Sequence, residues 1–164
     1  MQLKKTLLSL AFALAGAGLT GAASADAASD RIDVQHVMDA YHEAVLNHDG
    51  DRLASLFLPT GSLWLNVLSD QAYAAARAKS PDAPKVRVGS YASFAKLVST
   101  SKASFNPTHT NLLVNSDGTI AAVYFDFVFM IDGKPTNRGS ETWQLVKGSD
   151  GWYIAALTYS SEPV

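Results

Sequence analysis

The sequence contains no cysteine. Disulfides, thiolate zinc sites, iron–sulfur clusters, a cysteine nucleophile and a lipid-modified cysteine anchor are therefore excluded. Charge is scarce, at 17% of residues, and nearly balanced: 13 Lys and Arg against 15 Asp and Glu give a net −2. A dedicated nucleic-acid binder needs a basic face, which this balance does not supply. No Gly-rich phosphate loop and no G-x-S-x-G elbow occurs, so neither P-loop nor α/β-hydrolase chemistry is signalled. Beyond residue 21 no apolar run is long enough to span a membrane as a helix. What is present is a chain of 164 residues, 48% hydrophobic, the right size for one domain with a core.

The first 25 residues read as an address. Met1-Gln2-Leu3-Lys4-Lys5 is basic, Thr6 to Gly21 is apolar and uncharged, and Ala23-Ser24-Ala25 precedes Asp26. Basic start, apolar run and A-x-A describe a cleavable secretory signal. Cutting after Ala25 removes both signal lysines. It leaves 139 residues with 11 basic and 15 acidic side chains, a net charge of −4. The expectation is a periplasmic or secreted protein with no membrane attachment after cleavage. A single domain is expected over residues 26–164.

Along that domain, Asp26 to Ser29 is a small polar leader. Ser29 or Asp30 can cap a helix carrying Val34, Val37, Met38, Tyr41 and Val45 at helical spacing, with Gly50 as its stop. Asp51 opens a short second helix, and Gly61 to Leu68 reads as a strand. Ser69-Asp70 caps an alanine-rich helix closed by Pro81 and Pro84. Ser90 caps another, with Tyr91, Phe94, Leu97 and Val98 on one face. After Pro107 the pattern becomes extended: strands at about 109–114, 119–131, 137–146 and 152–160. Asp117-Gly118, Asp132-Gly133 and Asp150-Gly151 mark the hairpins between them. Helices first and an antiparallel meander last is an α+β arrangement.

Three stretches carry a family resemblance. They are Val37-Met38-Asp39-Ala40-Tyr41 with Asn47-His48-Asp49-Gly50-Asp51 and Leu53-Ala54-Ser55-Leu56-Phe57; Gly89-Ser90-Tyr91-Ala92-Ser93-Phe94; and Glu141-Thr142-Trp143-Gln144-Leu145-Val146 with Asp150-Gly151-Trp152-Tyr153-Ile154. Over roughly 31–160 the chain resembles the nuclear transport factor 2-like superfamily, in its SnoaL-like branch. The resemblance implies a cone-shaped, strongly curved, mainly antiparallel sheet wrapped around N-terminal helices, with an internal pocket. It also implies a homodimer through the sheet. Its members include isomerase-, dehydratase- and cyclase-like enzymes.

Candidate site residues follow. Tyr41 matches the helix-1 tyrosine that donates to a developing oxyanion in the isomerase-like members; the alternative is a core tyrosine with a satisfied hydroxyl. Those members place a carboxylate base after the first strand, where this chain has Trp64-Leu65-Asn66. Glu141 shares a strand face with Trp143 and Leu145, so it points toward the pocket or its rim. There burial raises a carboxyl pKa. The alternative is a salt bridge to Arg138 or a nearby lysine. His109, sharing a face with Asn111 and Leu113, is the second candidate acid or base, or else a strand-end histidine.

Asp126 falls on the opposite face from Phe125, Phe127 and Phe129, which puts it on the outer face of the sheet. Lys85 and Arg87 could hold an anion or simply line a solvated edge. His36, His42 and His48 recur at six, not at the three, four or seven that align ligands on a helix, so no metal site is expected.

The reading is an exported small-molecule-binding protein without a cofactor. Its pocket is lined by Trp64, Phe94, Asn111, Phe125, Phe127, Trp143 and Trp152, and it suits a small apolar or aromatic molecule. Two alternatives stand beside it. One is a cofactor-free lyase, isomerase or cyclase using Glu141, His109 and Tyr41. The other is a dimeric interaction module, since the strand from Trp152 to Ser160 is apolar on both faces.

Overall fold

The computed structural model describes residues 20–164, with side chains from residue 29. Most of the expected signal segment lies outside the described residues. Four helices and six strands follow in the order α1 (Thr20–Leu46), α2 (Gly50–Ser55), β1 (Leu63–Leu68), α3 (Asp70–Lys79), β2 (Val86–Val88), α4 (Tyr91–Thr100), β3 (Phe105–Ser116), β4 (Ile120–Ile131), β5 (Lys134–Lys147) and β6 (Trp152–Pro163). No described helix is long and apolar enough to cross a membrane.

The strands form one open sheet in the order β2-β1-β6-β5-β4-β3. Only β1 and β6 pair in parallel; every other pairing is antiparallel. The meander β3 to β6 closes through tight turns. Asp132 and Gly133 both take positive φ, 51° and 74°, the backbone that a two-residue hairpin demands.

Helix α1 presents Val34, Met38, Tyr41 and Val45 to the sheet, all buried. The spacing expected from the sequence therefore sets the buried stripe, but its boundaries differ. Helix α1 already includes Thr20, the first described residue, so residues 26–29 are helical rather than a polar leader, and neither Ser29 nor Asp30 caps it. Asp30 is instead buried within the helix and accepts a hydrogen bond from Lys147 Nζ at 2.9 Å. This ion pair ties α1 to the end of β5. Asp30→Ala is expected to cost about 1–3 kcal/mol, seen as a lower urea midpoint with an unchanged slope.

At the other end of α1, His48 takes the left-handed conformation at φ 57° and ends the helix, not Gly50. Gly50 opens α2 and is buried. A Cβ there would lie 2.4 Å from the Ala95 carbonyl oxygen, so glycine is what lets α2 sit against α4. The caps of the next helices are as the sequence predicts: Ser69 accepts from Ala72 N–H, and Ser90 from Ser93 N–H.

Strand β3 starts earlier than expected and contains Pro107. A proline is tolerated there because β3 is an edge strand, so its missing N–H breaks no inner ladder. Three register shifts interrupt the sheet: one in β3 between Thr110 and Leu113, one in β5 where Thr136 is extra opposite Phe129 and Met130, and one in β6 where Ala155 is extra opposite Gln144 and Leu145. Each inserts a residue on one strand, bends it, and reverses which side chains face the helices beyond that point. They decide the composition of the site.

Candidate functional site

A cavity of about 260 Å³ lies between the helices and the inner face of the sheet. Its walls come from seven elements. Helix α1 supplies Tyr41 and α4 supplies Phe94 and Leu97. Strand β1 supplies Trp64, β3 supplies Pro107 and His109, and β4 supplies Phe127 and Phe129. Asn137 and Glu141 come from β5, and Tyr159 from β6. Most of this lining is apolar, with a few polar groups, the usual composition of a small-molecule site. Two larger hollows, about 400 and 610 Å³, open around Asn115, Ala122 and Gln144. Neither is lined by a buried titratable side chain.

Glu141 stands directly across from Tyr159 on β6 and from Phe125 on β4. One carboxyl oxygen accepts from the indole Nε1 of Trp143 at 2.5 Å. Burial away from water disfavours the carboxylate and pushes the pKa up to about 8, against the smaller opposing effect of the Trp143 hydrogen bond. The salt bridge considered from the sequence is not made; Arg138 pairs with Glu162 at 3.1 Å.

His109 enters the cavity from β3, its ring 4.6 Å from that of Phe125 and 6.0 Å from that of His42. Burial, then the neighbouring His42, lowers its pKa to about 4, against the opposing pull of Asp39. Neither ring nitrogen has a hydrogen-bond partner among the described residues. Tyr41 packs against Phe57, Phe94 and Trp143. Burial, with Glu141 and Tyr159 adding to it, raises its pKa well above the usual phenol value. At neutral pH the cavity therefore presents an uncharged acid, an uncharged imidazole and an uncharged phenol.

Of the aromatic residues expected in the lining, Trp64, Phe94 and Phe127 are there. Phe125 and Trp143 lie one layer behind: both are fully buried and support His109, Tyr41 and Glu141 from below. Two expectations are corrected. Asn111 does not face the cavity. The β3 bulge follows Thr110, Asn111 takes φ 55°, and its amide donates to Asp126 at 2.8 Å on the outer face. Trp152 is also outside the cavity. It pairs across the strand with Lys147 at the far end of the sheet, with the Lys147 ammonium 5.4 Å from its ring.

Tyr159, Asn137, Phe129, Leu97 and Pro107 line the cavity and escaped sequence reasoning. For Tyr159 the cause is specific. An unbroken alternation from Trp152 and Ile154 puts position 159 on the other face. At the β6 register shift, Ala155 is the extra residue, so Leu157 and Tyr159 turn inward.

Asp126 is on the outer face, held by Asn111 and by Ser140 Oγ at 2.7 Å, hydrogen bonds that lower its pKa. Lys85 pairs with Asp70 and sits over Tyr73, away from the cavity. Among the described residues no cluster of three or more His, Asp or Glu side chains could hold a metal ion.

No protein-family model and no curated protein matches this sequence. Solved structures do match. A proposed dehydratase of the nuclear transport factor 2-like family from Streptomyces avermitilis superposes with a TM-score of 0.59 at 20% identity, over 84% of this chain and 97% of that one. A nuclear transport factor 2-like protein with a cystatin-like fold from Novosphingobium aromaticivorans gives 0.58 at 12% identity, over 81% and 82%. This chain has the nuclear transport factor 2-like fold. A proposed scytalone dehydratase from the same organism gives 0.61 at 13% identity, over 85% and 88%. The nuclear transport factor 2-like fold carries ligand-binding and enzyme-like proteins alike, so the function must come from the cavity itself.

Proposed function

We propose that this protein is exported and binds a small, uncharged, mainly apolar molecule in the cavity between Tyr41, His109 and Glu141. The observation that carries the reading is the convergence of three titratable side chains on one apolar space, all uncharged near pH 7. An ionic ligand would meet no counter-charge there, whereas a carbonyl or hydroxyl oxygen would meet the Glu141 and Tyr41 donors. Trp64 in the wall makes binding visible. Titration with 2-naphthol at pH 6.5 should change tryptophan emission, and Phe127→Trp, which fills the space, should weaken binding at least tenfold. Tight binding of the charged 2-naphthoate in preference to 2-naphthol would overturn the reading. Amino-terminal sequencing of the exported chain tests the signal, with Asp26 as the expected first residue.

A second reading, acid–base catalysis on such a ligand, is favoured by the unpartnered ring of His109 in the same cavity as Glu141. Under it, Glu141→Gln keeps binding and abolishes turnover. A second copy of the chain is the expected partner. The outer face of β3 and β4 exposes Leu113, Ile120 and Tyr124 without a Lys or Arg among them. Sedimentation should return a dimer for the wild type and a monomer for Tyr124→Lys.

A further inference from the structure

We propose that His42, which lies outside the cavity lining, is a positioning residue for it: from α1 it braces the ring of His109 and keeps a proton off it. The inference deepens the binding function proposed above. It stands on a ring pair that the sequence reading did not connect. His42 Nδ1 donates to the Pro107 carbonyl oxygen at 2.7 Å, and Pro107 is itself in the cavity wall, two residues before His109. That bond joins α1 to the part of β3 that aims His109 inward. It also sets the tautomer of His42, with the proton on Nδ1. The ring so fixed stands edge-on to His109, with centroids 6.0 Å apart and an angle of 73° between the planes.

Two imidazoles this close cannot both be charged at low cost. The groups around His109 are few. Helix α1 brings His42, Tyr41 and, at the surface, Asp39; β5 brings Glu141; β6 brings Tyr159; β4 presents the rings of Phe125, Phe127 and Phe129 on the inner face. Asp39 pulls a proton toward His109 and His42 opposes it. An uncharged ring is what an uncharged ligand needs beside it, so His42 extends the acidic limit of binding.

The test needs no ligand at first. Imidazole NMR titrations of the full chain should place the His109 midpoint at about 4. In His42→Asn, whose amide can still donate to the Pro107 carbonyl, the midpoint should rise by roughly half a pH unit or more, since burial, the larger cause, stays. His42→Gln is the substitute should the asparagine variant not fold. Asp39→Asn, at the surface, should move the midpoint the other way. A His109 midpoint that is the same in the wild type and the His42 variants overturns the proposal.

The second readout is 2-naphthol binding. His42→Asn should bind as the wild type does at pH 7 and about twofold more weakly at pH 4, where a half-unit rise in the His109 midpoint halves the neutral imidazole. An equal loss at both pH values would mean a merely structural role and would also overturn it. If the midpoints move as expected while neither protein binds a neutral probe at any pH, the binding function fails and the positioning role stands.

Discussion

Glu141→Gln should make the protein more stable at pH 8, by on the order of 3–5 kcal/mol. The carboxyl titrates at about 8 in the folded chain against 4.5 for the ordinary group. Between those values the folded state holds a proton that the unfolded state has released. Stability conferred by the protonated form is complete below 4.5, falls as the pH rises, and is gone once the pH passes the folded value. Glutamine has no proton to lose, and its amide oxygen can keep the hydrogen bond from Trp143 Nε1. Urea unfolding from pH 4.5 to 8 should therefore show a falling curve for the wild type that the variant lacks, with the two converging at the acid end. Parallel curves would mean that Glu141 is as well solvated as a surface carboxylate. His109 acts in the opposite sense: held neutral in the fold, it costs stability as the pH falls from 6.5 through about 4. The two groups thus disfavour opposite extremes of pH.

The other large effect lies at the backbone of the same wall. Gly139→Ala should destabilise by roughly 2–4 kcal/mol. A Cβ at Gly139 would stand 2.2 Å from the Ser160 carbonyl oxygen, which belongs to the backbone of β6 and cannot rotate away. Ser160 Oγ reinforces the contact, accepting from Ser140 N–H at 2.9 Å. Relief requires β6 to move off β5, two residues from the point where Glu141 faces Tyr159. Loss of 2-naphthol binding should accompany the loss of stability. Gly133→Ala separates the causes. It sits at φ 74° with nothing within 4 Å, so it carries only the conformational penalty, about 1 kcal/mol. Equal Tm losses for the two variants would show that the strands part easily at Gly139.

Local rules carried most of the element assignment. Ser69 and Ser90 cap their helices because a hydroxyl next to an unpaired N–H satisfies it wherever the segment packs. The hairpin at Asp132-Gly133 forms because few residue pairs accept positive φ twice. Glu141 shares the inner face with Trp143 and Leu145, since the extra residue of β5, Thr136, precedes all three and the next shift inserts Ala155 on β6 instead. Asn111 and Tyr159 mark where alternation stops being local knowledge. Asn111 lies within a bulge and Tyr159 just beyond one, and an inserted residue leaves no mark in the composition of its own strand. Trp152 shows a different limit: its face was legible, but not which end of the sheet the cavity would occupy.

The sequence by itself determined the class of the chain. Periodicity, caps and turn residues depend on neighbours a few positions away, and they are enough for helices followed by a meander, for a buried stripe through Tyr41, and for a cysteine-free protein of low charge. Only the tertiary structure decided which of the candidate groups meet. Whether Glu141 is paired or alone, whether His109 faces His42 or solvent, and whether Tyr159 looks inward depend on bulges and on how closely glycines let elements approach. Those are properties of strands and helices brought together from distant parts of the chain, and they exist only once the sheet has closed over α1.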